Sequence, residues 1–93
     1  MAEALFPLGR TVITPGALRT LERLNVSPMD LYTRHVSGDW RDMTGEDQVS
    51  NSRAVTHGGR VFSSYIVGSP ETKVWVITEA DRSVSTILLP SEY

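Results

Sequence analysis

The stretch Lys73-Val74-Trp75-Val76-Ile77-Thr78 is apolar on both faces of any strand it forms, with Val74 and Val76 on one face and Trp75 and Ile77 on the other. Such a strand needs cover on two sides. In a chain of 93 residues cover is scarce, because a domain this small hides only about 60–65% of the surface its unfolded chain exposes. There is no cysteine, which excludes disulfides, thiolate metal sites and thiol nucleophiles. Hydrophobic residues make up 40% of the sequence, enough for one globular core. A layer of helices can cover one face of the sheet. The second face falls to the N-terminal segment or to a partner chain, a homodimer through the sheet being one way to do it.

Two further β-rich runs flank this strand, Arg60 to Val67 and Val84 to Leu89. Gly68-Ser69-Pro70-Glu71-Thr72 and Ala80-Asp81-Arg82-Ser83 are the breaks between them. Two successive hairpins predict a three-stranded antiparallel meander. Upstream, Thr14-Pro15-Gly16 reads as a helix start, with Thr14 as cap and Pro15 at the first helical position. Leu18, Leu21 and Leu24 supply its apolar stripe and Asn25 a left-handed stop. Ser27-Pro28-Met29-Asp30 repeats the device, Leu31, Tyr32, His35 and Val36 mark a buried side, and Gly38 ends the helix. Thr44-Gly45-Glu46-Asp47 opens a third helix running to Thr56. Its thin stripe is Val49, Ala54 and Val55, and Gly58-Gly59 stops it. Residues 1–8 form a lead-in in which Leu5, Phe6 and Leu8 pack around Pro7. The expectation is one α+β domain over 1–93: two to three short N-terminal helices on a C-terminal three-stranded antiparallel meander, with Arg10 to Ile13 as an optional short edge strand.

Net charge is −2, which gives no overall electrostatic footprint for nucleic acid, so nucleic acid is not expected as a partner. The start MAEALFPLGR lacks a basic segment followed by an apolar one. No apolar run approaches the roughly 20 residues a membrane span needs. A cytoplasmic protein without membrane contact is expected.

Two clusters are the candidates for binding. One is the loop and helix start carrying Asp39, Trp40, Asp42, Glu46 and Asp47; the other is the hairpin tip carrying Glu79, Asp81 and Arg82. Each has a plainer explanation. Asp81 suits a tight turn because its side chain bonds local backbone. Glu46 and Asp47 complement a helix N-terminus. Trp75 fits a core, and Trp40 can pin its own loop. Trp and Tyr are also favoured interface anchors, and Pro90-Ser91-Glu92-Tyr93 ends on an aromatic in a way that suggests docking. No catalytic residue, metal or cofactor is expected. His35 and Asp39 stand four apart, but Gly38 interrupts the helix that would align them. Asp39, Asp42, Glu46 and Asp47 lack the calcium-loop pattern. Gly58-Gly59-Arg60 precedes a strand and not the helix N-terminus that cradles phosphate. The alternative is a small endoribonuclease-like enzyme using His57, Arg60, Glu79 and Arg82 at the sheet. It requires His35 or His57 within hydrogen-bond reach of Glu79 or Arg82.

Three stretches together carry a resemblance: Arg34-His35-Val36-Ser37-Gly38-Asp39-Trp40, then Gly58-Gly59-Arg60-Val61-Phe62-Ser63-Ser64-Tyr65, then Lys73 through Ser83 running on to Leu88-Leu89-Pro90-Ser91-Glu92-Tyr93. From about Phe6 to Tyr93 the chain resembles a family of small proteins carried on bacterial plasmids, integrated elements and phages. It departs from that pattern at Arg41 and Met43, where Gly and Leu are typical. The resemblance implies a setting and no chemistry. In a mobile genetic element, small acidic proteins often bind and block a host defence complex, so the implied function is non-enzymatic modulation of a protein complex through protein–protein contacts.

Overall fold

The structure, a computed structural model, describes residues 3–93, so the first two residues of the lead-in lie outside it. The chain is α+β. Strand β1 (Arg10–Ile13) is followed by helices α1 (Pro15–Leu24), α2 (Pro28–Val36) and α3 (Gly45–His57). Strands β2 (Val61–Val67), β3 (Thr72–Thr78) and β4 (Val84–Leu88) come next, then a 3-10 turn at Pro90–Glu92. The sheet has four strands in the order β1-β4-β3-β2. It differs from a three-stranded antiparallel meander in being mixed: β2–β3 and β3–β4 are antiparallel, and β1 lies parallel to β4, with Arg10 opposite Val84 and Ile13 opposite Ile87. The helices are not N-terminal to the sheet, because β1 precedes all three. A parallel neighbour needs a long crossover, and here α1, α2 and α3 are part of that connection.

Local chemistry sets the helix ends. Thr14 Oγ1 accepts from the Ala17 N–H at 3.3 Å, and Asn25 closes α1 in the left-handed region at φ 58°. Thr44 Oγ1 accepts from the Asp47 N–H at 3.2 Å. Ser27 differs from the expected cap: its backbone is extended, but its side chain makes no capping bond. The buried face of α1 also differs from the leucine stripe. Ala17, Thr20 and Leu21 are buried and Leu18 is 41% exposed. Steps of three residues turn only about 300°, so a row at that spacing winds off the packed face.

Alternation along the strands sorts side chains between the two faces of the sheet. Val61, Ser63, Tyr65, Val74, Val76, Thr78, Ser85 and Ile87 point to the helices and are fully buried. The main core joins Tyr65, Val74, Val76 and Ile87 to Ala17, Leu21, Leu31 and Tyr32. Burying one such large apolar side chain stabilises the fold by roughly 1.5–3 kcal/mol. A second cluster gathers Phe6, Trp40, Ala54 and Val61 beside it. Phe6 meets the His35 ring edge-on at 5.1 Å, and the Leu5 N–H donates to the Val36 carbonyl at 2.7 Å. The N-terminal segment therefore packs on the helix side of the molecule.

The opposite face of the sheet carries no helix. The register lays out its rows: Arg10, Val84 and Glu79 near one end; Val12, Thr86, Ile77 and Phe62 next; Leu88, Trp75 and Ser64 after them; Lys73 and Ile66 at the far end. Ile77 and Leu88 are 3% and 6% exposed, while Phe62, Trp75, Val12, Val84 and Thr86 are only half-buried. Pro90 to Tyr93 lies over this face through a Trp75–Tyr93 edge contact at 5.6 Å, and at its β2 border Phe62 and Ser64 line a cleft with Met43 and the start of α3.

Candidate functional site

The two histidines and the hairpin-tip residues decide whether catalysis is available. His35 is fully buried between α2 and the sheet. Its Nδ1 lies 2.5 Å from Ser63 Oγ and its Nε2 lies 2.8 Å from Thr78 Oγ1. The Leu8 end of the network fixes the protons as far as His35 Nε2. Trp40 Nε1 can only donate, and it does so to Ser63 Oγ at 2.9 Å. The Leu8 carbonyl can only accept, and it takes the Ser85 hydroxyl at 2.8 Å. Thr78 therefore donates to Ser85, 2.6 Å away, and accepts from His35 Nε2–H. With the ring neutral, Nδ1 carries no proton and accepts from Ser63. The imidazole is neutral, and burial, aided by the positive charge of Arg82, pushes its pKa down to about 3. A serine beside a histidine suggests a nucleophile pair, but both are sealed from solvent and all their protons are engaged.

Arg82 also points inward. Its backbone is left-handed at φ 61°. Its Nη1 donates to the carbonyl of Gly59 at 2.6 Å and to that of Glu79 at 3.2 Å, and Nη2 donates to Ala54 at 2.9 Å. The guanidinium closes the C-terminal end of α3, where cations are favoured. Asp81 Oδ1 accepts from the Ser83 N–H at 3.0 Å, an Asx turn. The Glu79 carboxylate turns instead to Arg60, 3.7 Å away. Both ring nitrogens of His35 are taken by Ser63 and Thr78, so it bonds neither Glu79 nor Arg82, and His57 is exposed at the last position of α3.

The second predicted cluster is also divided. Trp40 is only 6% exposed and belongs to the core. Asp39 bonds Arg34 and Arg41, each at 2.8 Å. Partial burial works to raise its pKa, but the hydrogen bonds from Arg41 and Arg34 outweigh this and hold it at about 2. Asp42 sits 3.5 Å from Arg34 and accepts from the Ile66 N–H at 3.1 Å. Ile66 lies on β2, one of the two edge strands, so Asp42 blocks a donor that would otherwise template pairing. Asn51 blocks the same edge at Phe62, accepting its N–H at 3.0 Å and donating to its carbonyl at 2.7 Å. Glu46 and Asp47 are exposed on the first turn of α3. Between α3 and this edge lies a cleft of about 210 Å³ lined by Met43, Asp47, Ser50, Asn51, Phe62 and Ser64.

What remains chemically free is the open face of the sheet. Phe62 meets Trp75 at 4.8 Å and Trp75 meets Tyr93 at 5.6 Å, both edge-on. Arg60 lies 5.9 Å over the Tyr93 ring and donates to its hydroxyl at 3.3 Å. Arg10, Arg60, Lys73 and Glu79 border this apolar centre. Trp75, Phe62 and Arg60 were not among the binding residues expected from sequence. The signal was present in β3, a strand apolar on both sides with helices enough for one. Among the described residues no helix is long and apolar enough to cross a membrane. In comparisons with family models, curated proteins and solved structures, the chain matches none.

Proposed function

We propose that the chain is a non-enzymatic protein-binding module of a mobile genetic element, which modulates a host defence or other protein complex by laying the open face of its sheet on one component. The observation that carries this reading is the composition of that face: half-buried Phe62, Trp75, Val12 and Val84 over buried Ile77 and Leu88, inside a border of Arg10, Arg60, Lys73 and Glu79. Apolar centres with charged rims, rich in Trp, Tyr and Arg, are how interfaces are built. Two further facts support it. His35 and Ser63, the one histidine–hydroxyl pair in contact among the described residues besides His35 with Thr78, are sealed in a closed hydrogen-bond chain. The edge strand β2 is blocked by Asp42 and Asn51, so pairing along that edge is disfavoured.

The test is affinity capture of the tagged chain from its bacterial host, read by mass spectrometry, with Thr86→Arg and Lys73→Glu as face variants and Arg19→Glu on α1 as control. One complex kept by the unaltered chain and the control, and lost by both face variants, is the expected result. Capture indifferent to the face variants, or cleavage of RNA by the purified chain, would overturn the reading.

A further inference from the structure

The segment over the open face displays the kind of ligand the face accepts. The Glu92 carboxylate is held by three neutral donors. Its Oε1 accepts from the Thr14 hydroxyl and from the Leu89 N–H at 2.9 Å, and its Oε2 accepts from the Gly16 N–H at 3.1 Å. Thr14 and Gly16 belong to the start of α1, where partial positive charge favours an anion. The fit is close: a Cβ on Gly16 would lie 2.5 Å from Glu92 Oε2. One residue on, the Tyr93 ring rests edge-on against Trp75 at 5.6 Å, with Arg60 5.9 Å over its own face. Carboxylate and ring thus occupy two adjacent seats, one polar and one aromatic.

The occupant is held loosely compared with the core. Ser91, Glu92 and Tyr93 are all exposed, Tyr93 by 69%, and they follow a single 3-10 turn. Segments with few buried contacts and exposed hydrogen bonds open at low free-energy cost. When the segment lifts, Thr14 and Gly16 face water, so no buried donor is orphaned.

We propose that this pair of seats receives a short acidic–aromatic peptide from a partner protein, a carboxylate side chain followed directly by an aromatic one, and that Glu92–Tyr93 fills the seats in cis until displaced. The inference rests on the open face being the binding surface, and it names the partner's chemistry there. A tethered occupant competes at an effective concentration in the millimolar range. A free peptide therefore binds well only when the segment is disabled, and a partner displaces it by adding contacts to the rest of the face.

The experiment uses the blocked peptide Leu-Pro-Ser-Glu-Tyr as probe and the full chain carrying Glu92→Ala with Tyr93→Ala as receptor. The Gly16 amide and Trp75 indole resonances are followed during titration. The expected result is saturable shifts of both signals, at a peptide concentration at least about tenfold lower than the unaltered chain requires. A peptide with Gln in place of Glu, or a receptor also carrying Gly16→Ala, should lose at least about tenfold of that affinity. Should the double variant fail to fold, Tyr93→Ala alone serves as receptor. Absence of shifts at millimolar peptide in a folded receptor would overturn the proposal, as would equal binding with Gly16→Ala. Either failure leaves the interface reading standing, because capture sensitive to Thr86→Arg and Lys73→Glu does not pass through Thr14 and Gly16.

Discussion

His35 Nε2 and Thr78 Oγ1 lie 2.8 Å apart, joining α2 to β3 through a core polar chain that carries no charge. The chain runs from Trp40 through Ser63, His35, Thr78 and Ser85 to the Leu8 carbonyl, and so ties the N-terminal segment, one helix, one loop and three strands together. Its polarity holds only with a neutral imidazole.

A pH dependence follows. The ordinary histidine value is 6.5 and the folded one is about 3. Below pH 6.5 the unfolded chain takes up a proton that the folded chain refuses, so stability falls as pH falls through this window. The contribution is fully present above pH 6.5 and declines by up to about 1.4 kcal/mol per pH unit toward pH 3. Asp39, Asp81 and Glu92, all held below the ordinary carboxylate range, add their own losses only at the acid end. Urea denaturation at pH 7, 6 and 5 should show the slope; a flat profile would mean that His35 is protonated or accessible in the fold.

Removing the imaginable catalytic pair should act on stability alone. His35→Ala leaves a cavity and deprives Ser63 and Thr78 of their partner in a fully buried site, for an expected loss of about 3–5 kcal/mol. Denaturant midpoints measure it.

Tyr65 gives the opposite case. Its hydroxyl is buried without a hydrogen bond of good geometry, and burial pushes its pKa up to about 12 against an opposing pull from the Ser63 hydroxyl. Tyr65→Phe removes an unsatisfied group while keeping the ring under Arg34, 4.3 Å away. Stability should stay level or rise by about 1 kcal/mol in a thermal melt.

Arg82 is expected to behave as a helix clamp. Arg82→Lys keeps the charge but cannot reach the Ala54 and Gly59 carbonyls with two separate nitrogens. It should cost about 1–3 kcal/mol, whereas Asp81→Ala at the exposed turn should lower stability much less. Equal effects would place Arg82 in solvent.

The parts of this fold that are legible in sequence are local. Thr14-Pro15, Thr44 with Asp47, and Asn25 announce helix ends because capping takes place within a few residues. The strand runs are legible from their β-branched residues. What is not legible depends on distant partners. The parallel pairing of β1 with β4 joins residues more than seventy positions apart, and no local pattern encodes it. Ser63, Thr78 and Ser85 occupy inward positions of otherwise apolar strands, which signals a buried polar network; that His35 completes it depends on how α2 docks. Trp40 and Arg82 look like surface residues because they stand in polar loops, and only packing turns them inward. The half-buried aromatic face was implied by the two-sided apolarity of β3, but its border of Arg10, Arg60 and Lys73 required the register.

The most direct test of the central claim is the affinity of the captured, purified partner for three forms of the chain, measured by calorimetry. Thr86→Arg, at the middle of the open face, should weaken binding by about thirtyfold or more, the scale of losing an interface hot spot. Arg19→Glu, on the solvent side of α1, should change it by less than about twofold. An unchanged affinity for a folded Thr86→Arg chain would contradict the account, because the partner would then be held somewhere other than the open sheet.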